Sequence, residues 1–113
     1  MNALSVRQPW AWAIVAGRKP IENRTWQTDY RGPLLIHAGL RGDPDGFEFL
    51  ESHGVHIPED LPRGGIIGQV ELIDITTDHP SMWAQSGCFN WVLADPIQTP
   101  FRFLRGRLGL FEA

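Results

Sequence analysis

The residues best equipped for chemistry lie close together in GRKPIENR, from Gly17 to Arg24, which sets Lys19, Glu22 and Arg24 in the pattern G-x-K-x-x-E-x-R. Two cations around one carboxylate can hold an anion, stabilise developing negative charge, or position the carboxylate as a base. If Ile21 to Trp26 is a strand, its alternation puts Glu22 and Arg24 on one face and Ile21 and Asn23 on the other. Lys19, just after the helix-ending Gly17 and before Pro20, can reach the same cleft. The plainer alternative is a structural Glu22–Arg24 pair beside a solvated Lys19. A second carboxylate, Glu71, lies in IIGQVELIDI, where alternation groups it with Ile67, Gln69, Ile73 and Ile75. A carboxylate among isoleucines is costly to bury unless it is paired or faces a cleft. That makes Glu71 a general-base candidate, with a rim position in water as the alternative.

Recognition chemistry is concentrated in RQPWAW. Arg7 and Gln8 offer hydrogen bonds suited to phosphates and base edges, and Trp10 offers a stacking face worth about 1–3 kcal/mol per base in single-strand binders. Trp12, inside a short helix, reads as core. Trp26, Trp91 and Asn90 join the candidate binding residues, although an Asn at a strand start also suits a turn. His37 ends the apolar run PLLIHA, where it either donates to a base or satisfies a backbone carbonyl. No metal site is expected: His37, His53, His56 and His79 are scattered, and Cys88 is the only cysteine. No nucleophile elbow, phosphate-binding glycine loop or cofactor signature is present.

Several short elements must position these residues. Pro9 to Ala16, ended by Gly17, reads as a helix of about two turns. Pro20 to Trp26 and Gly32 to Ala38 read as strands, and Asp43 to His53 as a second helix that starts at an Asp cap. PEDLPRGG is a loop that leads into the long central strand IIGQVELIDI. FNWVLADP, PFRFL and LGLFE are three further short strands. The expected class is α+β, a small barrel of about five or six strands with two or three short helices, because closure removes exposed edges.

A length of 113 residues fits one domain over 1–113. Apolar residues at 42% and charged residues at 20% are ordinary for a soluble protein, and no apolar run is long enough to span a bilayer. MNALSVRQPW does not read as a secretory signal, so a cytoplasmic location is expected; the sequence leaves the oligomeric state open, with a monomer favoured. A net charge of −3 argues against coating nucleic acid through a broad basic surface. Arg7, Arg18, Lys19, Arg24 and Arg31 instead crowd the first third of the chain, which favours one local basic cleft.

The motif GRKPIENR, with LSVRQPWAWAIVAG before it and YRGPLLIHAG, LPRGGIIGQVEL, NWVLADP and RGRLGLF after it, resembles the ASCH family along nearly the whole chain. The resemblance implies a PUA-like β-barrel with a cleft beside the motif, in a family placed with RNA-associated proteins and including small hydrolases. The small amidohydrolases acting on N4-acetylcytidine are thought to use a Lys, a Thr and a Glu. The Lys matches Lys19 and the Glu matches Glu71, but the Thr position holds Glu22, and Thr25 lies on the opposite strand face. A carboxylate attacks carbonyls poorly, so that mechanism does not carry over. The expected function is binding of single-stranded RNA, a nucleoside or a modified nucleobase. A metal-independent hydrolase, amidohydrolase or ribonuclease, using Lys19 with Glu22 or Glu71 is the first alternative, and a protein adaptor is the second.

Overall fold

The computed structural model describes residues 1–113 as six strands and two helices: β1 (Asn2–Gln8), α1 (Trp10–Val15), β2 (Ile21–Arg24), β3 (Gly32–Gly42), α2 (Pro44–Ser52), β4 (Gly65–Thr76), β5 (Phe89–Phe103) and β6 (Leu110–Glu112). The strands form one sheet in the order β2-β5-β4-β3-β1-β6. The expected barrel is not closed. The sheet curls instead, and Arg24 of the edge strand β2 reaches across the seam to donate from Nη2 to the Ser5 carbonyl of β1, at 2.8 Å. No helix is long and apolar enough to cross a membrane.

Strand alternation decides what faces the core. Leu4 and Val6 of β1 join Leu34, Ile36 and Ala38 of β3, Val70 and Leu72 of β4, and Trp91 and Leu93 of β5 in one buried cluster. Helix α1 adds Ala11, Ile14 and Val15 to it. The other face of β1 and β3 carries Ser5 and Arg7 beside His37 and Gly39. Ser5 and His37 are direct partners in the parallel β1–β3 pairing. Helix α1 stops at Gly17, whose φ of +78° is cheap only without a Cβ, and the chain doubles back so that the Arg18 and Lys19 amides both donate to Ala13 O. This turn delivers Lys19 to the start of β2.

Two expectations need correction here. FNWVLADP and PFRFL form a single fifteen-residue strand. Strand β2 pairs with β5 only over Phe89–Val92, so Pro96 and Pro100 lie where β5 has β4 alone as a neighbour and their missing N–H groups cost no ladder bond. The β4–β5 pairing also shifts register between Ile66 and Gly68, Gln69 and Glu71, and Leu72 and Asp74. Strict alternation along IIGQVELIDI is therefore lost. Ile67 is buried, whereas Ile73 is 55% exposed.

Candidate functional site

Lys19, Glu22 and Arg24 converge on one another. Lys19 Nζ donates to Glu22 Oε1 at 3.0 Å and to the Ile21 carbonyl, while Arg24 Nε and Nη2 meet Glu22 Oε2 at 3.0 and 2.9 Å. Lys19 is only 5% exposed and Glu22 only 8%. Burial by itself pushes the Glu22 carboxyl upward, but the Lys19 ammonium and then the Arg24 guanidinium, together with hydrogen bonds from both, hold it below its usual 4.5. Glu22 is therefore an ionised acceptor with both oxygens engaged. As a proton-abstracting base it has little to offer, and its work is to hold two cations in fixed positions.

Two clefts flank this triad and share Trp10, Glu22 and Asn23 in their walls. The larger, about 1080 Å³, lies along the seam between β1 and β2. Arg7, Arg24, Arg41, Arg105 and Arg107 all line it, and of these only Arg24 has a carboxylate partner. Trp10, Trp26 and Phe103 add aromatic surface. Leu40, Phe103 and Leu108, between 77% and 99% exposed, stand on its rim. The floor contains Ser5 and His37. His37 is 2% exposed, with Nε2 2.6 Å from Leu104 O and Nδ1 3.0 Å from Ser5 Oγ. A carbonyl can only accept, so in the neutral ring Nε2 carries the proton and Nδ1 accepts from the Ser5 hydroxyl.

The loop from Leu104 to Gly109 is moulded onto this pair. A Cβ on Gly106 would stand 2.7 Å from His37 Cε1 and 3.2 Å from Ser5 Oγ, so only a glycine fits there. Seated this way, the loop presents Arg105 and Arg107 to the cleft.

The structure scatters the other candidate residues. Arg7, Arg24, Trp10, Trp26 and His37 reach the seam cleft, and Lys19 lines the smaller one. Gln8 is fully buried and structural, donating to Pro62 O and accepting from the Trp12 amide. Trp91 is core: it is 0% exposed, packs edge-on against Trp26 with ring centroids 4.9 Å apart, and donates to the Trp26 carbonyl. Asn90, 1% exposed, is tied to Asn23, Gln85 O and the His79 amide. Glu71 lines neither cleft. It lies between Val70 and Leu72, which face the core, and its strand neighbours are Pro33 and Ala94. Sequence reasoning missed Ser5, Arg41, Arg105 and Arg107, for which the RGR triplet was the one available signal. No group of three or more His, Cys, Asp or Glu is placed to hold a metal ion.

A sequence profile described as "ASCH domain" matches residues 4–102. Activating signal cointegrator 1 of Mus musculus is 40% identical over 79 residues, covering 63% of this chain and 14% of that protein. The Homo sapiens protein of the same name is 39% identical over the same span, so the chain corresponds to about one seventh of the length of these relatives. The crystal structure of a point mutant of ZmASCH from Zymomonas mobilis superposes with a TM-score of 0.60 over 91% of this chain and 75% of that one. At 17% identity this likeness speaks to fold alone. The profile match, the curled sheet and the buried motif agree: the chain belongs to the ASCH domain family and has its PUA-like fold.

Proposed function

We propose that the seam cleft binds single-stranded RNA through a short run of phosphates and one or two stacked bases. One observation carries this reading. In a chain of net charge −3, five arginines from β1, β2, β3 and the loop before β6 line a single cleft, and four of them have no carboxylate partner. Unpaired guanidiniums facing one another repel, and a polyanion in the cleft relieves that repulsion. Trp10, Trp26 and Phe103 supply the apolar faces on which exposed bases stack. The family's placement with RNA-associated proteins supports the same reading. The exposed Leu40, Phe103 and Leu108 belong to the rim of this cleft and do not form a separate docking patch.

The test is fluorescence anisotropy with a labelled single-stranded RNA octamer across a salt series. Four phosphate contacts at roughly 0.7 each give a log–log salt slope of about −3. Arg105→Ala and Arg107→Ala should each weaken binding and remove about 0.7 from the slope, whereas Arg31→Ala, outside the cleft, should do neither. Salt-independent binding, or equal losses from all three variants, refutes the proposal.

A further inference from the structure

The smaller cleft differs from its neighbour in character. It encloses about 630 Å³, and its walls include Trp10, Phe49, Trp83 and Met82. Trp10 and Phe49 are tilted at 53°, Phe49 and Trp83 meet at 62°, and the ring centroids are 6.0 Å apart in both pairs. Such angled faces form a concave aromatic surface, so what distinguishes one base from another here is charge. The second face of Phe49 is covered by the His53 ring, stacked 4.2 Å away. The wall holding Trp83 is fixed by Asn23, which donates to Trp83 O and accepts from the Gln85 amide.

The charge of this cleft is inverted. Lys19 is cancelled by Glu22, and Asp43 and Asp45 remain. Asp43 Oδ2 accepts from Trp10 Nε1 at 2.8 Å, and neither aspartate forms an ion pair. One cation already lies against an aromatic wall, with Lys19 Nζ 5.4 Å from the centre of the Trp10 ring. Aromatic faces attract cations through the ring quadrupole, and nearby carboxylates add to that attraction.

From these observations we infer that the smaller cleft is a pocket for a positively charged, N-methylated nucleobase. The inference rests on the RNA reading for its choice of ligand: the two clefts adjoin along the Trp10–Glu22–Asn23 wall, so a base turned out of a strand in the arginine cleft has this one as its neighbour. The arginine cleft holds the strand, and the acidic aromatic cleft selects the charged base.

Two isomeric nucleosides separate charge from methylation. 1-Methyladenosine is cationic at neutral pH, whereas N6-methyladenosine is neutral. Titrated into the full chain with tryptophan fluorescence as the readout, 1-methyladenosine should bind about tenfold tighter, the ratio produced by ~1.4 kcal/mol of cation–aromatic attraction. Phe49→Ala should remove most of that binding. Asp45→Asn, at an exposed position, should reduce the preference to about threefold. Arg105→Ala should leave nucleoside affinity unchanged while weakening RNA. Equal affinity for the two isomers, or no binding of either, overturns the inference even if RNA binds. Trimethyl-lysine binding as tightly as 1-methyladenosine also overturns it, because the pocket would then serve a protein side chain. Nucleoside discrimination without RNA binding keeps the pocket and discards only the strand in the neighbouring cleft.

Discussion

Glu22 lines both clefts and is the only anion in the buried cluster it forms with Lys19 and Arg24. Replacing it with Gln leaves an ammonium and a guanidinium close together without a counter-charge, and removing one partner of a buried ion pair typically costs about 3–5 kcal/mol. The direction of its pKa sets the pH dependence. The folded value lies below 4.5, so the stability contributed by ionised Glu22 is fully present above the unfolded value and drains away as pH falls through the folded one. Urea denaturation at a series of pH values should therefore show Glu22→Gln well below the parent at pH 7, with the gap narrowing below about pH 4.5. Curves that stay parallel into acid would show that Glu22 is not held low. The same reasoning explains why Lys19 and Glu22, although central to the motif, are poor candidates for proton transfer: each is fully engaged with the other's neighbourhood before any ligand arrives.

At the scale of elements, the loop from Leu104 to Gly109 matters most, because it carries two arginines and rests on His37 and Ser5 through a glycine. Gly106→Ala adds one methyl group 2.7 Å from His37 Cε1 and must lift the loop while changing no charge. RNA affinity should fall roughly fivefold to tenfold and the salt slope should lose about 1, as one or two guanidiniums leave register. Stability should fall by about 1–3 kcal/mol, since a lifted loop strains the hydrogen bond from the buried His37 Nε2 to Leu104 O. Unaltered RNA binding by a folded Gly106→Ala protein would show that the seat on His37 is irrelevant to the cleft. This loop also marks the limit of what the sequence discloses. Alternation within GRKPIENR correctly placed Glu22 and Arg24 on one face, because β2 is short and regular. Arg41, Arg105 and Arg107 depend on the parallel β1–β3 pairing and on β5 running on through Pro96, neither of which a local pattern encodes. Glu71 was misassigned because bulges reset the parity of β4, and Trp91 and Asn90 because a strand start does not reveal which neighbours will bury it.

At the scale of the whole molecule, the charge distribution limits how much RNA can be held. The protein measures about 33 × 33 × 23 Å, its net charge is −3, and five of its basic side chains point into one seam. Beyond that seam the surface is on balance acidic and repels further phosphates. Affinity should therefore rise with oligonucleotide length only until the seam is filled, on the order of four to six nucleotides, the lower end of site sizes for small single-strand binders. A length series from two to sixteen nucleotides, measured by anisotropy at constant salt, tests this. A plateau near six that disappears in an Arg41→Ala/Arg105→Ala/Arg107→Ala protein identifies the seam as the whole footprint. Affinity that keeps climbing to sixteen nucleotides, with a salt slope steeper than four phosphates allow, would place part of the strand on a surface outside the cleft and sink the account of a local site.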